Sequence, residues 1–385
     1  MKRKIAERKR LGAYEKHQEI GRGTYGTVYA GLQVAPTEDE REDNEDGAHR
    51  RRRVAIKKVV GRHDVGKREA GYLKLCRDAS HVVQILDVVE QDGKMYLILE
   101  YMDSDLEAVL EAKDDVPELP ITHVKTYLHM LLQGVAELHE RRILHRDLKP
   151  NNLLLSLSQR TAKITDFGMA TTIHDPKDDD GDAAPTKRSI QVVTRAYRAP
   201  ELFFGEEQYG FEIDVWSVGC IFAELLLRKP FFDGALSDID QLSRIFQALG
   251  SPAENGWHDA AKLPFYLNFK DTHPKPLSEQ FPHLSSAGVD LLSQMLQLDP
   301  KKRISVQDAL KHAFFQEEPL QVDPSELVIP EIPERQLQVA GKASSSASAQ
   351  SGSTRPMGAA AAEVIAVMEE NDNEHTFMIK GRRIV

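Results

Sequence analysis

The segment 145–152, His-Arg-Asp-Leu-Lys-Pro-Asn-Asn, brings side chains of complementary chemistry close together along the chain. Asp147 can orient a substrate hydroxyl and accept its proton, because a well-placed carboxylate serves as a general base. Asn152 can hold Mg²⁺ through its amide oxygen, and Lys149, which stands between them, can neutralise a moving phosphate. The segment therefore predicts a phosphoryl-transfer site with Asp147 and Lys149 as catalytic residues.

Two motifs nearer the N-terminus supply groups that bind phosphates. The loop 21–28 contains Gly21, Gly23 and Gly26, and glycines let a backbone fold closely over phosphates because they carry no Cβ. This spacing alone is a weak signal, since turns and dinucleotide sites also use it. Lys57 ends the run Val-Ala-Ile-Lys, which indicates a strand from which the ammonium can reach the α- and β-phosphates.

Two motifs nearer the C-terminus complete the set. Asp166 begins the sequence Asp-Phe-Gly and adds a carboxylate for Mg²⁺. The sequence Ala-Pro-Glu at 199–201 closes the segment that follows it. Any one of these short motifs can arise by structural coincidence, but together they stand in the order that phosphoryl transfer from ATP to a protein requires. Their joint occurrence favours a functional interpretation.

These motifs carry a resemblance to eukaryotic protein kinases that runs from about Tyr14 to Phe315. Within that family the chain resembles cyclin-dependent kinases, and the run 223–231 with 240–242 and 245–246 is similar to the kinase-activating type found in general transcription factor IIH. The resemblance implies an α+β, bilobal fold with a β-rich N-terminal lobe and a helical C-terminal lobe. The other segments that carry it are 23–26, 68–69, 192–195, 197–202 and 214–220.

The resemblance assigns further roles within an ATP site. It implies that Lys57 grips the α- and β-phosphates and is held there by Glu69, on a helix predicted over 63–76. It also implies that Asp166 and Asn152 hold Mg²⁺. The remaining ATP contacts that it implies are the side chains of Ile20, Val28, Ala55 and Leu154, the glycine-loop residues Gly21, Gly23 and Gly26, and the hinge backbone at Glu100 and Met102.

Val193 and Arg198 determine which substrate the resemblance implies. In the family, the valine adopts a strained backbone beneath the residue that follows the phosphoacceptor, and the arginine satisfies the strained carbonyl. An N–H at that substrate position finds no acceptor, so proline, which has no N–H, is accepted. The expected substrates are proteins with Ser-Pro or Thr-Pro.

Regulation is also implied by the resemblance. Ser189 occupies the position of an activation-loop phosphoacceptor, and Arg68 and Arg146 remain of the three arginines that clamp such a phosphate; Thr171 stands where the family has the third. The alternative is an unmodified Ser189. A cyclin-like subunit is the expected partner, although the segment 64–67 lacks the pattern that cyclins grip. Because Gly71 lies within the predicted helix of Glu69, we expect that helix to be poorly positioned in the isolated chain.

Two other functions compete with an active, proline-directed Ser/Thr kinase in cell-cycle or transcription control. A mitogen-activated-type kinase calls for Thr-x-Tyr in the activation loop, and residues 184–191 contain none. A pseudokinase scaffold predicts the loss of Lys57, Asp147 or Asp166, and all three are present. The motifs therefore favour the active enzyme over both alternatives.

Composition limits the remaining possibilities. The 385 residues carry a net charge of −10, which argues against direct binding to nucleic acid. No apolar run approaches the ~20 residues of a membrane helix, so no membrane attachment is expected. Cys76 and Cys220 are the two cysteines, and we expect buried, reduced thiols rather than a disulfide. A reducing location, nuclear or cytoplasmic, follows.

The organisation of the chain is predicted from changes in composition. Charge blocks between 35 and 53 indicate a solvated insertion or a docking or localisation element. The Ser/Ala/Gly-rich stretch at 343–358 indicates a flexible linker, and residues 359–370 have the pattern of a short amphipathic helix of marginal stability. Helical periodicity is found at 122–140, 211–227, 239–249, 287–298 and 305–314, and Thr122 and Ser305 are the predicted N-caps of the first and the last of these helices. The predicted divisions are a basic extension at 1–12, a kinase domain at 13–318 with lobes 13–102 and 103–318, and a flexible tail at 319–385.

Overall fold

The structure of the protein is a computed structural model that consists of two units, residues 1–339 and 340–385. It describes residues 9–23, 26–34, 52–60, 63–113, 118–173, 187–327, 329–330, 377–379 and 382–384. The predicted insertion therefore lies outside the described residues except at Arg52 and Arg53. No helix in these ranges has the length and apolar character needed to cross a membrane.

The N-terminal lobe is built on one six-stranded sheet whose neighbouring strands are all antiparallel. Its strands, in the spatial order β1-β2-β3-β4-β6-β5, are β1 (Lys9–Leu11), β2 (Tyr14–Gly23), β3 (Gly26–Gln33), β4 (Arg53–Val59), β5 (Ile85–Gln91) and β6 (Lys94–Glu100). Side chains alternate between the faces of a strand. Val54 and Ile56 accordingly lie in a small apolar cluster on one face, which leaves Ala55 and Lys57 on the other.

The predicted N-terminal extension at 1–12 is too long. Residues 9–11 form β1, paired with β2, and Leu11 is fully buried in the small apolar cluster of the sheet. Arg53, the last residue of the predicted insertion, is also the first residue of β4, which contains the strand predicted around Lys57. The many basic residues of this segment gave no sign that Leu11 packs at the edge of the core.

The C-terminal lobe is helical, as predicted, and is organised around two long helices, Ile121–Glu140 and Glu212–Leu227. The second is apolar on all sides because it is almost entirely buried. The α-helices in the described ranges are α1 (His63–Leu75), α2 (Leu106–Glu111), α3 (Ile121–Glu140), α4 (Pro200–Phe203), α5 (Glu212–Leu227), α6 (Asp238–Leu249), α7 (Leu277–Gln280), α8 (Ser286–Met295) and α9 (Val306–Leu310).

Of the two predicted helix caps, the structure confirms Ser305 and not Thr122. Ser305 caps α9, with its hydroxyl accepting a hydrogen bond from the Asp308 amide at 3.1 Å. Thr122 is not a cap, because α3 already begins at Ile121 after Pro120, which makes no side-chain cap. The last predicted helix is shorter than expected and is followed by a 3₁₀ turn, Ala313–Phe315.

Short strands carry the loops of the site between these helices. They are β7 (Ser104–Asp105), β8 (Ile143–Leu144), β9 (Leu153–Ser156), β10 (Thr161–Ile164) and β11 (Thr171–Thr172). Strand β9 pairs with both β7 and β10, and β8 pairs with β11. This pairing holds the catalytic segment and the start of the activation segment against the lobe. Both cysteines are buried and unpaired, as predicted.

The predicted boundary at 318 is placed too early. The Lys125 ammonium, 1% exposed, donates to the carbonyl of Pro319 at 2.8 Å, and the Thr126 hydroxyl donates to that of Val322 at 2.9 Å. Leu327 is buried in the core. A buried ammonium must be hydrogen-bonded, so this part of the predicted tail belongs to the lobe.

The second unit contains a hairpin that was not predicted. It consists of β12 (Phe377–Ile379) and β13 (Arg382–Ile384), which pair antiparallel. The predicted linker at 343–358 and the short helix expected at 359–370 lie outside the described residues.

Candidate active site

Lys57 is held by carboxylates from two different elements. Its ammonium lies 2.5 Å from Glu69 Oε1 on α1 and 2.7 Å from Asp166 Oδ1. Lys57 is 6% exposed and Glu69 1% exposed. The pair predicted from the resemblance is therefore formed, and it is joined directly to the Asp-Phe-Gly motif.

A glycine allows α1 to approach the sheet closely enough for this pair. A Cβ on Gly66 would lie 2.7 Å from Met95 Sδ and 3.0 Å from the methyl groups of Val59. The absence of a side chain at this position lets the helix press against β4 and β6. Glu69, one turn further along, is thereby brought inward to Lys57.

Charge coupling favours the charged forms of Lys57 and Asp166, whereas burial raises the pKa of Glu69 above its ordinary value. Burial acts to lower the pKa of Lys57, but the carboxylates of Glu69 and Asp166 outweigh it, so its pKa lies above the ordinary value. Burial acts to raise the pKa of Asp166, and the neighbouring Lys57 ammonium holds that pKa below its ordinary value instead. Lys57 and Asp166 are therefore both charged at neutral pH, the form in which they can bind phosphates and a cation.

Asp147 is fixed by hydrogen bonds to both of its oxygens. Oδ1 accepts from the amide and the hydroxyl of Thr194 at 3.0 and 2.8 Å, and Oδ2 accepts from the Lys149 ammonium at 2.8 Å. Thr194 belongs to the activation segment, so the catalytic loop is tied to that segment at the predicted base. The carboxylate is 5% exposed and has one defined orientation.

A buried carboxylate beneath the catalytic loop was missed as a functional residue. Asp214, in α5, accepts the backbone N–H groups of His145 and Arg146, each at 2.9 Å, and contacts His139 Nε2 at 3.1 Å. Burial acts to raise its pKa, but these partners hold the pKa below the ordinary value. The available signal was an acidic residue within a largely apolar helix, because a buried charge must be paired.

The predicted magnesium ligands offer oxygen atoms of the type that Mg²⁺ prefers. The Asn152 amide nitrogen donates to the Asp147 carbonyl at 2.7 Å, which leaves the amide oxygen as the ligand atom. Asp166 stands in the left-handed backbone region, with φ of 66°. No group of three or more His, Cys, Asp or Glu side chains suited to a metal occurs in the described ranges. Two oxygen ligands nevertheless fit Mg²⁺, which usually keeps waters and phosphate oxygens as its other ligands.

The strand register aligns the predicted phosphate-binding groups. Gly21 lies opposite Val28, and Val28 lies opposite Lys57. A Cβ on Gly26 would approach the Lys58 carbonyl to 2.6 Å, so this glycine is required by the sheet itself. A Cβ on Gly23 would meet nothing within 4 Å among the described atoms. Open space above a glycine is consistent with a phosphate approaching the backbone there.

The predicted adenine pocket combines exposed apolar surface with a rigid hinge. Four apolar side chains assigned to it are only half-buried, unlike the core residues around them: Ile20, Val28, Ala55 and Leu154. At the hinge, the Lys163 ammonium contacts both carboxylate oxygens of Glu100, at 2.8 and 3.0 Å. The side chain of Glu100 is thus fixed by β10, while its backbone and that of Met102 remain at the end of β6.

The segment that follows the activation loop carries the predicted strain. Val193 has φ of 66°, which is unfavourable for a β-branched residue. Its carbonyl accepts hydrogen bonds from Arg198, from Nη2 at 2.9 Å and Nε at 3.2 Å. The end of the segment is pinned by Arg303, whose guanidinium makes two bonds to the Glu201 carboxylate, at 2.7 and 3.1 Å. Both are features that the resemblance implies.

The three residues of the predicted phosphate clamp are not joined to one another by hydrogen bonds in the described ranges. Ser189 and Arg68 are both exposed, and Arg68 has no hydrogen bond or ion pair within the part of the chain that the structure describes. Arg146 is occupied elsewhere, with Nε donating to the Met169 carbonyl at 2.7 Å and Nη1 to the Tyr209 hydroxyl at 3.0 Å. The structure therefore joins Arg146 to Tyr209 rather than to Arg68 and the Ser189 side chain.

Comparison with known proteins places this geometry in a family. Residues 14–315 match the family model described as protein kinase domain. A relative from Oryza sativa subsp. indica named Cyclin-dependent kinase D-1 is 40% identical over 323 residues, which cover 82% of this chain and 70% of the relative. Its namesake from Arabidopsis thaliana is 39% identical over 333 residues, with coverage of 85% and 76%.

A solved structure supports the same assignment. The chain is similar to one in the structure of the CAK complex from Chaetomium thermophilum bound to ATP-γ-S, with a TM-score of 0.71 and 32% identity. The match covers 83% of this chain and 96% of that chain. The predicted bilobal fold and family are confirmed. The chain therefore belongs to the protein kinase family and is a serine/threonine kinase of the cyclin-dependent, CAK-like type.

Proposed function

We propose that the protein transfers the γ-phosphoryl group of ATP, with Mg²⁺, to serine or threonine residues that precede proline, together with a cyclin-like subunit. We place this activity in cell-cycle or transcription control, in the nucleus or cytoplasm. The single observation that carries the chemistry is the continuous network from Glu69 through Lys57 to Asp166. The two unpaired thiols support a reducing location.

The residues of the chain divide the work of the reaction. Asp147 orients the substrate hydroxyl and accepts its proton, and Lys149 lies 2.8 Å from that carboxylate, where it can offset the charge of the transferred group. Lys57 positions the α- and β-phosphates. Asn152 and Asp166 would hold Mg²⁺, which supplies neutralisation of phosphate charge when bound. Catalysis then depends on positioning and electrostatics.

The Val193 carbonyl supports the proline preference. It is already used by Arg198, so it is not available to a substrate N–H at the position after the phosphoacceptor. An N–H buried there without an acceptor carries a desolvation penalty of about 1–3 kcal/mol. Proline has no N–H and avoids the penalty.

A matched set of three peptides tests this reason directly. We expect kcat/KM to fall roughly 5- to 150-fold when Ser-Pro is changed to Ser-Ala, which is the desolvation penalty expressed as a rate ratio. Ser followed by N-methylalanine lacks both the N–H and the ring, and we expect it to recover most of the loss. Equal rates for Ser-Pro and Ser-Ala would contradict the specificity, and failure of N-methylalanine to recover would contradict the N–H explanation.

The outward face of α1 supports a partner subunit. The sequence led us to expect a poorly positioned helix, whereas the structure places Glu69 against Lys57. Gly71 nevertheless weakens the helix, and a Cβ there would meet nothing within 4 Å. Glycine costs about 1 kcal/mol in a helix interior, with no packing gain inside this chain. We propose that a cyclin-like subunit offsets this cost by binding the exposed face.

Two glycine variants of the same helix give a matched test. In the isolated chain, Gly71→Ala should raise basal peptide phosphorylation by up to roughly 5-fold, because alanine favours the helix by about 1 kcal/mol. Gly66→Ala should lower it, because the new methyl group displaces α1 from the sheet. Adding a cyclin-like subunit should raise wild-type activity well above the basal rate. Full activity of a demonstrably monomeric wild type without loop phosphate would contradict partner dependence.

A further inference from the structure

The activation segment makes a direct contact with the catalytic loop that contains no phosphate. The Tyr209 hydroxyl donates a hydrogen bond to the carbonyl of Ser189 and accepts one from Arg146 Nη1 at 3.0 Å. Tyr209 is 1% exposed, so its hydroxyl is buried, whereas Ser189 is exposed and Arg146 is half-buried. A single hydroxyl therefore joins the catalytic-loop arginine to the backbone of the predicted phosphoacceptor.

The backbone on either side of this contact strengthens the tie. The Arg188 guanidinium donates to the Tyr209 carbonyl at 2.9 Å, and the Arg188 amide donates to the Glu207 carbonyl at 2.9 Å. Lys187 also pairs with Glu207 at 2.6 Å, but this ion pair is exposed and contributes little. The segment 187–189 is thus held to the segment that leads into α5 by main-chain as well as side-chain bonds.

Arg146 is itself firmly placed. Its amide donates to Asp214 at 2.9 Å, its Nε donates to the Met169 carbonyl at 2.7 Å, and its φ of 66° lies in the left-handed region. Since the same guanidinium reaches the Tyr209 hydroxyl, it links the catalytic loop, the start of the activation segment and Ser189. These are the elements that a phosphate bound by several arginines would join.

The Ser189 side chain takes no part in this arrangement. It is exposed, and its hydroxyl makes no hydrogen bond within the described ranges. Ordering of a segment by phosphorylation works by adding charge-assisted bonds to arginines. Here the arginine of the catalytic loop already has a buried neutral partner.

We propose that Tyr209 is a positioning residue whose hydroxyl ties the activation segment to Arg146 and thereby holds the segment in place for catalysis without phosphate on Ser189. This goes beyond the proposed function and requires only kinase activity, whichever residue follows the phosphoacceptor. Because this tie needs no third arginine, it also explains how the segment can be held although Thr171 stands where the resembled family has the third clamping arginine. Phosphate on Ser189 would then add to the tie but is not required to form it.

Tyr209→Phe removes the hydroxyl and keeps the ring that fills the core. We expect kcat for peptide phosphorylation to fall about 5- to 30-fold, because two hydrogen bonds of the buried hydroxyl are lost, while KM for ATP stays unchanged. Tyr266→Phe is the matched control, because the Tyr266 hydroxyl makes no hydrogen bond in the described ranges and its ring packs against Phe204. Ser189→Ala should retain at least half of wild-type activity.

A second readout separates positioning from a merely structural role. Phosphoserine at position 189 should raise kcat by a larger factor in Tyr209→Phe than in wild type, since Arg146 is then free to bind the phosphate. Equal factors in the two proteins, or a kcat of Tyr209→Phe equal to that of Tyr266→Phe, would overturn the proposal. So would a Ser189→Ala variant as impaired as Tyr209→Phe.

Amide hydrogen exchange tests the tie without any assay of activity. We expect amides between 187 and 199 to exchange faster in Tyr209→Phe than in wild type or Tyr266→Phe, with the rest of the chain unchanged. Unchanged exchange in this segment would overturn the proposal even if activity falls. If Tyr209→Phe shows the expected faster exchange at 187–199 but the wild type phosphorylates no peptide, the result counts against the proposed function and still supports the tie.

Discussion

Replacing Asp166 by asparagine is expected to reduce phosphoryl transfer to background. Asp166 is the carboxylate among the two proposed Mg²⁺ ligands, and its Oδ1 also holds the Lys57 ammonium at 2.7 Å. Loss of its charge therefore removes the cation and a partner of the phosphate-binding lysine together. Asp147→Asn should lower kcat by roughly 10²-fold or more, because the general base is lost while the phosphate-binding groups remain.

The measurement is the initial rate of peptide phosphorylation at saturating ATP and Mg²⁺, with thermal unfolding recorded for each variant. Neither substitution removes core volume, so we expect both proteins to fold. Asp290→Asn, at a carboxylate that is 61% exposed and remote from the network, serves as the control and should keep the wild-type rate. Normal turnover by Asp166→Asn would contradict the assigned site.

Replacing Arg303 by methionine is expected to destabilise the protein by about 3–5 kcal/mol. The Arg303 and Glu201 side chains are 0% and 1% exposed, and removing one member of a buried pair leaves the other charge without a partner. Activity should fall as well, because Glu201 ends the activation segment and loses its anchor. Lys302→Met, at a neighbouring side chain that is 53% exposed, should change the free energy of unfolding by no more than about 0.5 kcal/mol.

Denaturant unfolding monitored by fluorescence gives these free energies. A double variant, Arg303→Met with Glu201→Leu, removes both charges and should recover a large part of the stability lost by Arg303→Met alone, since no buried charge is left without a partner. An Arg303→Met variant as stable as the wild type would show that the ion pair of Arg303 and Glu201 does not hold the segment. No recovery in the double variant would indicate that lost packing, not the uncompensated charge, causes the effect.

The chemistry of the site was predictable because it rests on short motifs with fixed roles. Lys57, Asp147 and Asp166 were identified from local sequence, and the structure connects Lys57 to Asp166 across a separation that no local pattern reveals. The Glu69 partner followed from the family resemblance, not from spacing. What the motifs did not reveal is how the parts are held, which is the role of Asp214, Thr194 and Tyr209.

The errors have physical causes of the same kind. The tail was predicted to begin too early because the anchor for Pro319 is a lysine in α3, far away in sequence. Thr122 was predicted as a cap because its residue type favours that position, but Pro120 occupies the N-cap position and the helix begins at Ile121. The clamp at Ser189, which the resemblance implies for the phosphorylated chain, stays a prediction. The contact that the resemblance did not reveal is the one between Arg146 and Tyr209, a tyrosine that carries no sequence signal of its own.

The most direct test of phosphoryl transfer is the mass of a Ser-Pro peptide. The peptide is incubated with ATP, Mg²⁺, the protein and a cyclin-like subunit. We expect the wild type to add one phosphoryl group to the serine and Asp166→Asn to add none. An unchanged peptide mass with wild-type protein, or an equal gain with Asp166→Asn, would contradict the claim that the network of Glu69, Lys57 and Asp166 is a working phosphoryl-transfer site.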